Sequence, residues 1–520
     1  MFRKILKFIF IFLITLLIIV IAYSAYKLRD RNPGYEVNIG IKAKEPKEPL
    51  KVGFAALPIT PNIEDTWNDV NNDAKYKEED GDSYNDNNNN GKFDPYWIAG
   101  FSNKRAANGV HDDVWARAVV FDDDNTRLAL VSIDAIGFMH DDVIDIREMI
   151  PEELNIDYTL VASTHTHESN DLMGIWGPGI TETGVNAENM AYVKSQSVKA
   201  IKQAVGAMKP ANLHIAQNLQ DADILVEDSR DPQVKDPAIR LIKAVDAETE
   251  KTLGILSFWA NHPETVWSKN LLISSDFPHY FREYLEHGIY NGDSLVKEGV
   301  GAEALYFNGA IGGLMTTRKG VGIKDPFSDS VYYEPSFAKV DVQGKRLALI
   351  ALESLENPDT IINEASISLQ AKTIDLQWDN ETFGLAVIMG LLDRGMSGYK
   401  KVRSEVAAFK IGPVSFIAVP GELYPEILNG GIENPDGADF KIDPIETPPL
   451  RSLMPGDYKF MIGLANDEIG YIIPKSQWDV EPPYTYGDTG DGPYGEENSF
   501  GPETAPTIYR EIQALLAELN

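Results

Sequence analysis

Residues 161–169, VASTHTHES, carry two imidazoles two positions apart, His165 and His167, directly behind an apolar run from Tyr158 to Ala162. A short uninterrupted apolar run reads as a buried strand, so both rings are expected just past its end. Rings placed there suit metal ligation, or one ligand beside a proton-transfer group. On these residues alone, ordinary polar loop histidines remain the alternative. The chain has eight histidines and no cysteine, so thiolate sites and disulfides are excluded. Any metal must then rest on His, carboxylate, Tyr or carbonyl oxygen.

The same event, a strand and then a small-residue turn bearing a polar group, recurs along the chain. GILSFWANHPETVW (254–267) presents His262, VSFIAVPGELYPEI (414–427) presents Glu422, and YKFMIGLANDEIGYIIP (458–474) presents Asn466 and Tyr471. His111 precedes one strand and Asp134 ends the next within GVHDDVWARAVVFDDDNTRLALVSIDAIGF (109–138), whose Asp-Asp-Asp-Asn run reads as a turn. Asp276, in ISSDFPHYFREYLEH, reads as a helix cap.

Between these stretches the periodicity predicts helices over 141–154 and 336–356 and an amphipathic helix through Val198, Ile201, Val205 and Met208 that stops at Pro210. Strands are expected near 212–217, 238–245, 365–376 and 404–410. Strands alternating with helices imply an α/β fold of mixed β-sheets flanked by helices, with strand ends gathering one site. No internal repeat is visible. The tail, 482–506, is rich in Tyr, Gly and Pro and leads into a short helix.

The 520 residues are 43% hydrophobic and 24% charged, as in a folded globular protein with an ample core. A net charge of −32 argues against nucleic acid and against attraction to anionic headgroups. At the N-terminus, Arg3, Lys4 and Lys7 precede 19 uncharged residues, Phe8 to Tyr26, enough for a bilayer-crossing helix. Ala22 and Ser24 offer a cleavage site, so a signal peptide is the alternative. Lys27, Arg29 and Arg31 nearly balance the flanking charge. The expected organisation is an anchor (1–29), a Pro-containing linker (30–49) and one catalytic domain (50–520), held at the cell membrane outside the cytoplasm.

An acidic, Asn-rich insertion occupies 72–95. Asp86, Asn88, Asn90, Gly91 and Asp94 follow the front half of a calcium loop, but Trp97 stands where the closing bidentate Glu belongs. Calcium on Asp86, Asn88, Asn90 and Asp94, with Asp80 and Asp82 in reserve, is weighed here against a solvated low-complexity loop.

The stretches VGFAALPITP (52–61), GVHDDVWARAVV (109–120), VSIDAIGF (131–138), STHTHES (163–169), ANHPETV (260–266), SSDFP (274–278), PGELYPEI (420–427) and Asn466–Tyr471 occur in the order seen in neutral/alkaline non-lysosomal ceramidases. The chain resembles the catalytic domain of that family over about residues 50–475. The resemblance implies zinc on His165, His262, Glu422 and Tyr471, with His167 as proton shuttle. It assigns orienting or substrate-contact roles to His111, Asp134 and Asp276. It implies hydrolysis of the N-acyl amide of ceramide-like lipids through metal-activated water.

Two departures qualify this. The family's G-D-x-S-P turn falls on FNGAIGG, leaving Ala310 for the aspartate and Gly312 for the serine. That serine's role then passes to activated water, with the Gly309–Gly313 amides as a candidate oxyanion hole. The family's C-terminal immunoglobulin-like domain is also expected to be missing. An esterase or amidase on another envelope substrate, and a catalytically silent binding protein of the same fold, are the competing expectations.

Overall fold

The computed structural model describes residues 2–519 except 47, 229, 231–232, 314, 318–319, 483 and 485–492, so much of the 482–506 tail lies outside the described residues. Two sheets organise the body. The larger runs Ala304–Asn308, Thr252–Trp259, Ile239–Asp246, Lys209–Asn218, Lys51–Pro58, Trp115–Asp122, Arg127–Ile133, Tyr158–Ser163, with Thr360–Ile362 added beside Lys209–Asn218. The smaller runs Asn38–Ile41, Ile367–Gln377, Lys401–Ile411, Val414–Ala418, Tyr458–Ile462. Most neighbours are antiparallel. Within these two sheets three pairs are parallel: 252–259 with 304–308, 127–133 with 158–163, and 414–418 with 458–462. The mixed α/β architecture expected from the pattern is the one observed.

Both faces of the larger sheet are buried, which is why its strands are nearly continuous apolar runs. Trp115–Asp122 sends Val119 and Phe121 into the core shared with Phe409, Phe416 and Phe460 of the smaller sheet. Its Ala118 and Val120 pack on Val193, Ala200 and Ile201 of the Ala187–Gly206 helix. Farther along the larger sheet, Ile255 and Tyr306 meet Phe281 and Leu347 of two further helices, Phe277–His287 and Phe337–Glu356. The outer face of the smaller sheet packs on Ile508, Ile512 and Leu516 of the Thr504–Leu519 helix. The result is four layers, helix–sheet–sheet–helix, each buried large side chain contributing about 1.5–3 kcal/mol.

Some boundaries differ from the sequence expectation. Pro151 ends the His140–Met149 helix early, leaving a separate 3₁₀ turn at Glu152–Leu154. The Ala187–Gly206 helix stops before Pro210, which already lies in the next strand. The 30–49 stretch is not a free tether. Asn38–Ile41 pairs with Ile367–Gln377, and Arg403 grips Asp30 at 2.8 and 2.7 Å. A helix not foreseen, Glu381–Met389, forms where Asn380 Oδ1 accepts from the amides of Thr382 and Phe383.

The parallel strands all finish at one end of the stack, and loops lace those ends together. Ser163 N–H donates to Leu464 O at 3.2 Å, Gly463 N–H to Asn308 O at 2.9 Å, and Val419 N–H to Ile462 O at 3.0 Å. Asn466 side-chain Oδ1 accepts from Val161 N–H at 3.0 Å while its Nδ2 donates to Glu405 and Tyr158.

Candidate metal centre

At those strand ends the nearest ligand nitrogens of His165, His167 and His262 lie within 4.8 Å of one another. The chain turns at His165 with a left-handed φ of 69°, an unfavourable conformation for a residue with a side chain. His165 N–H and Nδ1–H are both tied back, to Ala135 O at 2.9 Å and Ile136 O at 2.6 Å. His262 is held the same way, its Nδ1 2.7 Å from Met315 O. A carbonyl can only accept, so in both rings Nδ1 carries the proton and Nε2 presents a lone pair.

Both lone pairs point at one carboxylate. Glu422 Oε2 is 3.0 Å from His262 Nε2, and Oε1 is 3.7 Å from His165 Nε2. A lone pair facing a carboxylate is repulsive unless a proton or a cation stands between them. Burial works against a charged His262, yet its hydrogen bond to Glu422 and that group's charge raise its pKa. Burial lowers His165 to about 4, with Glu422 opposing and His262 adding. Tyr471 faces Glu422 as its register partner in a short parallel pair. Burial and the Glu422 charge push its phenol well up.

His167 is half-buried with both ring nitrogens enclosed, and desolvation, His165, His262 and Arg105 together drive its pKa well down. Its Nδ1 is 3.3 Å from Glu264 Oε2, yet neither ring nitrogen completes a hydrogen bond. Glu264 accepts from Thr316 Oγ1 at 2.5 Å. Buried Arg105 donates to the backbone oxygens of His167 and Ala99 and lies 3.3 Å from Glu168, fixing the loop from beneath. Glu468 is buried near Glu422, its Oε2 without a hydrogen-bond partner.

Two lone-pair nitrogens and a carboxylate converge, with Tyr471 on the strand beside Glu422 and the unpartnered His167 ring and Glu264 close by. This donor set suits a borderline divalent ion.

The other candidate residues lie in different surroundings. Asp134 is bound bidentately by Arg282 at 2.9 and 2.7 Å and accepts from Ser275 and Trp115, so its carboxylate is fully engaged. Asp276 caps the Phe277–His287 helix, accepting from Phe277 at 2.7 Å and Val266 at 3.0 Å; burial raises its pKa to about 7. His111 stacks on Phe337 at 3.6 Å and lies 2.9 Å from Asp112, joining these rather than the clustered rings.

The glycine turn is tighter than expected. A Cβ on Gly312 would lie 2.3 Å from Tyr424 Cδ1 and 2.6 Å from Glu422 O, so no side chain fits. Gly309 and Gly312 N–H groups are already donated, to Asn308 Oδ1 and Leu423 O, which removes these two amides from the expected oxyanion hole.

In the acidic insertion, Asp86 accepts from the amides of Asn90 and Gly91, and Asn88 Oδ1 accepts from Asn90. Asp94 is engaged by Lys92 Nζ at 2.7 Å and by Asn90.

Sequence reading missed Glu264, Thr316, Arg105 and Glu468. Glu264 carried one signal, its place two residues after His262 in the same turn. The others carried none, because the site groups they meet are more than forty residues away in sequence.

Fold and centre thus define a mixed α/β protein with a His-and-carboxylate site at its gathered strand ends. Residues 90–304 match the family described as neutral/alkaline non-lysosomal ceramidase, N-terminal. The chain is 26% identical over 222 residues to the neutral ceramidase of Mycobacterium tuberculosis, a match covering 38% of this chain and about a third (34%) of that protein. The crystal structure of neutral ceramidase from Pseudomonas aeruginosa superposes with a TM-score of 0.62 at 14% identity, over 91% of this chain and 75% of that one. A ceramidase complexed with C2 gives 0.63, with the same identity and coverage. The resemblance drawn from the motifs is therefore shown, and the fold is that of neutral ceramidase.

Proposed function

We propose that this chain is a membrane-anchored, extracytoplasmic, zinc-dependent amidohydrolase that cleaves the N-acyl amide of ceramide-like lipids. The observation that carries this reading is the pair of Nδ1-tied imidazoles aiming Nε2 at the Glu422 carboxylate. His165, His262, Glu422 and Tyr471 would hold the ion. When bound, zinc supplies Lewis acidity and a water of lowered pKa.

The chain's own groups do the rest. His167, kept neutral by desolvation and the nearby Arg105, would take up a proton at Nδ1 or Nε2. Glu264, steadied by Thr316, orients that ring and stabilises its protonated form. Asp134 and Asp276 position: one fixes Arg282, the other aligns the NHP turn with the following helix. His111 has a substrate-contact role at most.

The N-terminal helix, Phe2–Lys27, has no buried residue and is about 39 Å long at ~1.5 Å per residue, enough to cross a ~30 Å hydrocarbon layer. Calcium on Asp86, Asn88, Asn90 and Asp94 is a secondary reading, supported by the turn geometry of the loop.

The closed space at Gly312 favours a second reading, an amidase or esterase on another envelope substrate. Metal analysis of the purified full-length chain comes first. Near one zinc per chain is expected, lost in His262→Ala; zinc on fewer than half the chains, or unaffected by that change, would sink the site. Ceramide turnover no greater than that of Glu422→Ala would then remove the ceramidase reading and leave the second.

A further inference from the structure

The helix Glu381–Met389 is apolar from Phe383 onward, yet only Val387 is buried; Leu385 is 54% exposed. A surface helix ordinarily turns a polar face outward, and one that is apolar all round sits in a core or in lipid. This helix is held firmly to the body by Asn380, whose Nδ2 donates to Glu497 O and Ser499 O, both at 2.9 Å.

The N-terminal helix ends against it. Met396 N–H donates to Leu28 O at 3.0 Å, Arg31 pairs with Asp393 at 2.6 Å, and a Cβ on Gly395 would lie 2.6 Å from Arg29 O. Lys27 Nζ is 3.1 Å from where a Gly390 Cβ would stand. Lys27 sits over Tyr23 at 5.9 Å and Arg29 over Tyr26 at 4.0 Å, the aromatic-and-cation belt typical of a lipid–water boundary. That boundary is thus level with the end of the Glu381–Met389 helix.

Beside the helix runs a groove of about 770 Å³ lined by Ile175, Ile180, Phe383, Ala386, Leu391 and Val480, with Ile180 71% exposed at its lip. Asn103, Thr382, Glu496 and Glu497 add polar groups to the lining, and Pro493 and Asn498 line it too. Between them Tyr494 stands 5.9 Å from the Tyr471 ring, so groove and metal centre share one segment.

We propose that the Glu381–Met389 helix dips into the bilayer that receives the N-terminal helix, and that the groove beside it admits a lipid hydrocarbon chain from that leaflet. The proposal rests on the N-terminal helix crossing a membrane.

Because the chain contains no cysteine, single cysteines can be labelled without background. Leu385→Cys, Ile180→Cys, Leu16→Cys and Leu219→Cys each carry an environment-sensitive fluorophore on the full chain in phosphatidylcholine vesicles with doxyl-labelled lipid. Leu219 is 57% exposed in a separate surface groove and serves as the water-facing control. Strong quenching is expected at 16, 385 and 180, several-fold above that at 219. Quenching at 16 with 385 and 180 no greater than 219 overturns the proposal while leaving the anchor intact. No quenching at 16 removes the anchor and the proposal with it.

Discussion

Restoring a hydroxyl at Gly312 is expected to damage the centre rather than add a nucleophile. The first atom of any side chain there would fall 2.3 Å from Tyr424 Cδ1, 2.6 Å from Glu422 O and 2.7 Å from Tyr424 N. Two of these are backbone atoms of the strand that presents Glu422, and Gly312 N–H already donates to Leu423 O at 3.0 Å between them. A flexible neighbour cannot absorb the clash, so the strand must shift. Overpacking costs about 1–3 kcal/mol, and contacts to backbone put this case near ~3. With an unfolding entropy of about 2.1 cal/mol/K per residue, a body of this size loses roughly 1 kcal/mol per degree, so Tm should fall by about 3 °C. Gly312→Ala and Gly312→Ser should lose the same amount in scanning calorimetry, since the Cβ is the offending atom. Bound zinc should fall in both as Glu422 is displaced. Gly312→Ser with the parent Tm and full metal, or with turnover above Gly312→Ala, would refute the reasoning.

Glu264→Gln should keep the metal and lower kcat by about 10²-fold or more with little change in KM, if the carboxylate steadies a protonated His167; steady-state kinetics beside metal analysis decides it. Asp134→Asn leaves Arg282 buried without its counter-charge and should cost about 3–5 kcal/mol in urea unfolding, at unchanged metal affinity. Asp276 has its folded pKa raised to about 7 by burial, so its contribution is full below the unfolded value near 3.8 and is lost as pH rises through 7. Asp276→Asn keeps the acceptor oxygen and should flatten the fall in stability between pH 5 and pH 8, read as the difference in unfolding midpoints.

Much of this protein was legible in local pattern. Apolar runs fixed where strands fall, because a strand buried on both faces must be apolar throughout. The polar groups following those runs marked His165, His262, Glu422 and Tyr471 as residues delivered to strand ends. The absence of cysteine limited any metal to nitrogen and oxygen ligands, and the uncharged N-terminal run stood out by length alone. What only the tertiary structure decided is who faces whom. Asp134 looks like a pocket acid in sequence, but Arg282 occupies its oxygens, whereas Asp276 was legible as a helix cap and the fold adds only the Val266 amide to it. Glu264 looks like a loop residue until Thr316 and His167 are folded against it. Gly312 reads as a lost serine, whereas in the fold Glu422 and Tyr424 leave it no volume. Side-chain type and spacing are local properties. Burial, pairing and free volume arise only when segments hundreds of residues apart meet, and they set the chemistry of this centre.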